Sequence, residues 1–339
     1  MKINIAIVLL LSLLTSACSF TSVVDPDARP DWVNGQSKKY ASSLYLSGQG
    51  SALTLGDAKD RARSDLAKQF EVGLKESGQQ TQTFTSEQAN GEMLKSLNQK
   101  ISRQLFTYTS RTLKGVEIAE QWYDPKQDTH YALAVLSRNK TRQRLEQELK
   151  TLDQRSQQRL LQAEVEPALL TRAALVQLAI NTQQQRIVVQ SSLQVVDLGG
   201  FGKPANLALA ELVRSRDALL KKVRISPMAS GDMSNELAKV VSGAAAGAGF
   251  SINNNTFDYQ LKIQTLLDPV LKKNGWFWLR GTMEINLIDT AGNNIGVQRW
   301  PLKVSSIDIK RTQQRLLSEA DNLLKEELRD VLLGFAAKP

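Results

Sequence analysis

The chain has 339 residues, 42% hydrophobic and 23% charged, enough apolar material for a sizeable core, so a disordered chain is excluded. Lys and Arg number 43 against 34 Asp and Glu, a formal charge of +9; the basic excess suits anionic lipid or an acidic polymer, whereas only 6% aromatic residues offers no stacking platform for nucleic acid. A single His (His130) and a single Cys (Cys18) leave nothing for a His- or thiol-based metal site or a Ser-His-Asp arrangement, so no catalytic residue, metal or cofactor is assigned.

Residues 1–17 read as a signal peptide. Lys2 is the positive start, Ile3 to Leu14 the apolar run, and Thr15-Ser16-Ala17 the small residues that close it. The run falls short of the roughly 20 apolar residues a membrane span needs. Small residues directly before Cys18 resemble the bacterial lipobox, with Thr15 standing where Leu is usual. The resemblance implies that Cys18 becomes the acylated, palmitate-bearing N-terminus, and that Ser19 beside it directs the chain to the outer membrane, facing the periplasm. Each buried methylene of such an anchor contributes about 0.8 kcal/mol. An ordinary cleavage site near an incidental cysteine is the alternative. Residues 18–30, with Pro26 and Pro30 and no periodicity, form a lipidated tether.

Residues 31–137 read as an N-terminal α/β domain. The stretch "YLSGQGSALTLGDAKDRARSDLAKQF" gives a strand, a turn and a helix with Ala58, Ala62, Leu66 and Phe70 one turn apart, capped by Thr54 or Asp57. A polar stretch, 81–98, precedes two strands, Leu113 to Tyr123 and Thr129 to Ser137, joined by "DPKQD". Pro30-Asp31-Trp32, "SGQG" at 47–50, the Ala-rich helix and "YALAVLSR" at 131–138 together resemble the lipoprotein-20 (Lpp-20) family of outer-membrane lipoproteins. That resemblance implies location and assembly work, of the kind related domains do in flagellar basal bodies and cell-wall synthesis, and it transfers no catalytic residue.

Residues 138–196 read as a helical connector of two helices, the second started by Pro167. Arg138, Arg142, Arg144, Arg155 and Arg159 make the first helix basic. Arg142 and Arg155 are candidates for partner contact; a solvated face neutralised by Glu146, Glu148 and Asp153 is the alternative. "GGFGKP" at 199–204 lacks phosphate-loop spacing, because Pro204 follows Lys203, and residues 197–212 read as a linker.

Residues 197–339 hold a C-terminal domain of order β-α-β-β-β-α. A strand at Leu219 to Ser226 precedes a helix at Asn235 to Ala246, alternating strands around Tyr259–Thr265, Phe277–Leu287 and Ile295–Val304, and a terminal helix with Leu316, Ala320, Leu324, Leu328 and Phe335 on one face. Only Glu327 breaks that stripe. Trp276 and Trp278 alternate away from the apolar positions and are candidate contact residues; a small second core beneath "LDPVLKKNG" is the alternative.

The expected fold class is α+β, two small domains with antiparallel sheets covered by helices, joined by the helical connector. The expected role is a non-catalytic outer-membrane lipoprotein, held in lipid through Cys18, that presents periplasmic domains to an envelope protein partner. The second reading is a ligand-binding lipoprotein that captures peptidoglycan or polysaccharide, and a carboxylate-based hydrolase is a third. A homo-oligomer is left open.

Overall fold

The computed structural model describes residues 29–35, 37–86 and 112–337. The signal segment, Cys18, most of the tether and part of the polar stretch before the second strand lie outside the described residues. The chain is α+β and divides into two compact units, Met1–Leu66 with Glu117–Val135, and Ala67–Val116 with Leu136–Pro339.

In unit 1, β1 (Tyr45–Ala52), β2 (Glu117–Asp124) and β3 (Thr129–Ser137) form a sheet in the order β1-β3-β2, with β2 and β3 antiparallel. Helix α1 (Leu55–Ser86) starts from Thr54, whose hydroxyl accepts from the Asp57 N–H at 3.2 Å and donates to the Asp57 carboxylate at 2.7 Å. Its four-residue spacing buries Ala58, Ala62 and Leu66. The helix lies directly on β1, since a Cβ at Gly48 would fall on the backbone of Ala62 and Leu66, and one at Gly50 on that of Ala58 and Ala62. Asp65 accepts from the Gln49 N–H at 3.0 Å and Arg61 donates to the Ser51 carbonyl at 2.7 Å, fastening helix to strand. On the other face Leu133 and Val135 pack against Trp32, with Tyr40, Tyr45, Trp122 and Tyr131 around it. Trp32 sits in a 3-10 turn, Asp31–Asn34, that Gly35 closes at φ 100°.

Unit 2 takes the second part of α1, where Phe70 and Leu74 are buried. Helices α2 (Arg138–Val165) and α3 (Leu169–Val196) follow as a hairpin broken at Pro167, and α4 (Leu209–Leu220) packs on α3. Then come β4 (Arg224–Gly231), α5 (Ser234–Gly247), β5 (Ser251–Ile252), β6 (Tyr259–Leu267), β7 (Leu271–Lys273), β8 (Trp276–Asp289), β9 (Asn294–Ser306) and α6 (Ile309–Ala336). The sheet runs β5-β4-β6-β8-β7, with β9 along the other side of β8. Helices α5 and α6 cover one face, and Leu170, Ala173 and Ala174 of α3 join the same core.

Three expectations are corrected here. The C-terminal sheet is mixed, because β4 pairs parallel with both β5 and β6. Helix α5 carries the chain back along the sheet before it re-enters, the crossover that parallel neighbours require. The stretch read as a linker ends earlier than expected, since Leu209 and Leu212 are buried on α4. Leu219 and Leu220 therefore finish that helix, and the strand expected from Leu219 starts at Arg224. Glu327, the one break in the α6 stripe, accepts from the Trp300 indole N–H at 2.7 Å. The β7–β8 hairpin turns on Asn274 and Gly275, both left-handed at φ 52° and 77°, as a type I′ turn demands.

Candidate functional site

The site begins with the alternation of the C-terminal sheet. Leu261 and Ile263 on β6, Met283, Ile285 and Leu287 on β8, and Trp300 and Leu302 on β9 are buried under the helices. Their neighbours in sequence point to the opposite side, which puts Leu266, Trp278, Arg280, Glu284, Arg299 and Lys303 on one open face. Register aligns the tip of this face: Leu271 lies opposite Trp278, Lys273 opposite Trp276, and Arg280 opposite Lys303. Directly opposed residues share a face, so all six side chains belong to it.

The two tryptophans take different positions. Trp276 is 43% exposed beside the hairpin turn. Trp278 is half-buried, with the Arg280 guanidinium 5.6 Å and the Lys303 ammonium 5.9 Å from its ring centroid. Each cation at that range gains about 0.5–1 kcal/mol from an exposed ring face. Trp278 thus anchors a pair of cations, while Trp276 offers its own surface.

Further along the same face Glu284 is only 6% exposed, although among the described residues no helix covers it. Its carboxylate accepts from Asn286 at 2.9 Å and from Gln264 at 3.0 Å, and pairs with Arg299. The hydrogen bond from Asn286, followed by that from Arg299, holds its pKa below the ordinary carboxylate value. The group is a fully engaged crosslink of three strands, not a free acid or base.

The basic helix α2 separates into two kinds of arginine. Arg138 donates to the Val195 and Val196 carbonyls at 3.1 and 3.0 Å and so caps the end of α3; burial lowers its pKa. Arg144 donates to the Thr112 carbonyl at 3.0 Å. Arg142 and Arg155 are exposed, about 20 Å apart along the helix, and among the described residues no hydrogen bond or ring contact joins either to Trp276 or Trp278. The "GGFGKP" loop is held by its backbone: Arg186 donates to the Pro204 carbonyl at 2.9 Å, and Gln190 accepts from the Lys203 N–H, also at 2.9 Å. That occupies groups a phosphate would need.

His130 lies in β3 with its ring 4.7 Å from that of Tyr123. Among the carboxylates a hydrolase would draw on, Glu120 pairs with Lys39 at 2.9 Å and Glu327 serves Trp300. Among the described residues no group of three or more His, Cys, Asp or Glu could hold a metal, and no helix is long and apolar enough to cross a membrane. An open polar depression of about 380 Å³ lies between β9 and α6, lined by Lys303, Ser305, Arg315, Ser318, Glu319 and Asn322. Arg315 braces its floor by donating to the Ser305 carbonyl at 2.6 Å.

The sequence reading singled out Trp276 and Trp278 but not Leu271, Lys273, Arg280, Lys303 or Glu284. Strand alternation had already turned Arg280 and Glu284 outward with Trp278. What it lacked was the register that sets Lys303 beside them.

No curated protein matches the chain. Among solved structures, a minor lipoprotein from Acinetobacter baumannii is 16% identical over 34% of this chain and 92% of its own, with a TM-score of 0.27. The secreted protein HP1454 from Helicobacter pylori is 13% identical over 86% of this chain and 97% of its own, with a TM-score of 0.40. A PelC dodecamer from Paraburkholderia phytofirmans is 15% identical over 33% of this chain and 86% of its own, with a TM-score of 0.26. Residues 30–137, the segment that carries Pro30-Asp31-Trp32, the glycines of β1 and the apolar strand β3, match the LPP20 lipoprotein family.

Proposed function

We propose that this chain is a non-catalytic lipoprotein, acylated at Cys18 and anchored in the outer membrane, that presents its units in the periplasm to an envelope assembly such as a flagellar basal-body or cell-wall complex. The observation that carries the reading is the LPP20 lipoprotein match at residues 30–137, a short tether after a signal-like segment, residues 1–17, that stops just before Cys18. The contact residues proposed for the protein partner are the exposed Arg142 and Arg155 on α2.

Two experiments test it. Radiolabelled palmitate should enter the parent chain but not Cys18→Ser, which should accumulate as unprocessed precursor; equal labelling of the two would remove the anchor. Photo-crosslinking from positions 142 and 155 in intact cells should capture an envelope protein, and capture of no protein from either would overturn the assembly role.

A ligand-binding lipoprotein is the second reading, and the depression lined by Lys303, Ser305, Arg315 and Asn322 favours it, since alternating donors and acceptors suit a polyhydroxylated polymer. Retention of the chain on purified peptidoglycan, lost in Arg315→Ala, would select this reading over the first.

A further inference from the structure

Leu266, Val270, Leu271 and Trp276 are all exposed, at 58, 49, 50 and 43%, and they cluster at the β7–β8 end of the C-terminal sheet. Leu266, Leu271 and Trp276 share the open face with Lys273, Arg280 and Lys303. None of those three cations forms an ion pair among the described residues. The apolar side chains therefore stand beside three cations without ion-pair partners, near a hairpin turn set by Asn274 and Gly275.

We propose that this tip docks on an anionic phospholipid bilayer, with Trp276 and Leu271 at the boundary between head groups and acyl chains and with Lys273, Arg280 and Lys303 against the phosphates. Two features favour lipid over a protein partner. Lysine is depleted from the centres of protein interfaces, whereas this patch interleaves lysine with its apolar groups. An indole beside long cationic side chains is the combination that settles at a membrane–water boundary, because the aliphatic stems and the ring find apolar surroundings while the charges stay with the head groups. The inference does not depend on acylation of Cys18, since it can be read on protein without acyl chains.

The chain from residue 18 onward, carrying Cys18→Ser, is sedimented with vesicles of phosphatidylcholine alone or mixed with phosphatidylglycerol. Binding should appear only with the mixed vesicles and weaken with added salt. Lys273→Gln with Arg280→Gln should lower the partition coefficient roughly 25-fold, about fivefold for each cation removed. The charge-matched pair Lys150→Gln with Lys239→Gln, exposed on α2 and α5, should bind as the parent does. Phosphatidylcholine brominated in its acyl chains, used in the mixed vesicles, should quench part of the emission of the parent, and that part should vanish in Trp276→Phe. Equal binding to both vesicle types, an equal loss in the control pair, or quenching that survives Trp276→Phe would each overturn the proposal. Self-association that Trp276→Ala abolishes, without vesicle binding, would assign the face to a second copy of the chain instead.

Discussion

The three-stranded sheet of unit 1 lies between α1 on one face and Trp32 with its aromatic neighbours on the other, whereas the sheet of unit 2 carries α5 and α6 on one face and has no covering layer on the other among the described residues. In unit 1 both faces are committed to burial, and glycines at 48 and 50 let the helix approach as closely as backbone allows. In unit 2 the open face stays ordered without a covering layer, because Glu284 ties β6, β8 and β9 together and Trp278 is packed beneath two cations. The difference teaches where recognition has room: the small sheet has spent its surface on its own core, and the large one has not.

The most severe way to break this contrast is Gly50→Val. Its branched side chain would overlap the α1 backbone at Ala58 and Ala62, so unit 1 should lose about 3 kcal/mol or more, or fail to fold, while unit 2 keeps its urea transition. Leu328→Ala removes a fully buried side chain from the covered face of the large sheet and should cost unit 2 about 3 kcal/mol, read as a lower urea midpoint. Thr54→Ala deletes the cap of α1 and should cost about 1 kcal/mol in unit 1 alone. The smallest effect concerns the open face. The pKa of Glu284 is depressed in the folded state, so its contribution is fully present above the ordinary value of 4.5 and fades as pH falls through the lower folded value. In acid titrations followed by tryptophan fluorescence, Glu284→Gln should flatten the limb of the unfolding profile below 4.5 and leave the slope of the neutral side unchanged.

Periodicity made much of this architecture readable. The four-residue stripes of α1 and α6 and the alternation of β6 and β8 appear in the sequence because burial on one side imposes them. The parallel pairing of β4 was not readable, since its partners β5 and β6 are chosen by a helical crossover and not by a local turn. Helix α4 was masked by the glycines and proline before it, which weighed more heavily than Leu209, Leu212 and Leu220. Within the candidate site, Trp276 and Trp278 look alike in a string of letters. They separate only when β9 brings Lys303 across to one of them. Glu284 looked like any outward polar residue, and its burial follows from side chains on three strands meeting over it.

Strand β9 runs along the border of the large sheet, and its middle is Pro301, flanked at alternate positions by Arg299 and Lys303. An imide nitrogen has no hydrogen to give, and the neighbouring charges repel a second copy laid alongside. The opposite border, β5, is two residues long. Pro301 with its charged neighbours on one border and the shortness of β5 on the other work against copies of this chain pairing there into a continuous ribbon. Recognition at this sheet is thereby left to side chains on its open face and its helices, where one surface can be told from another.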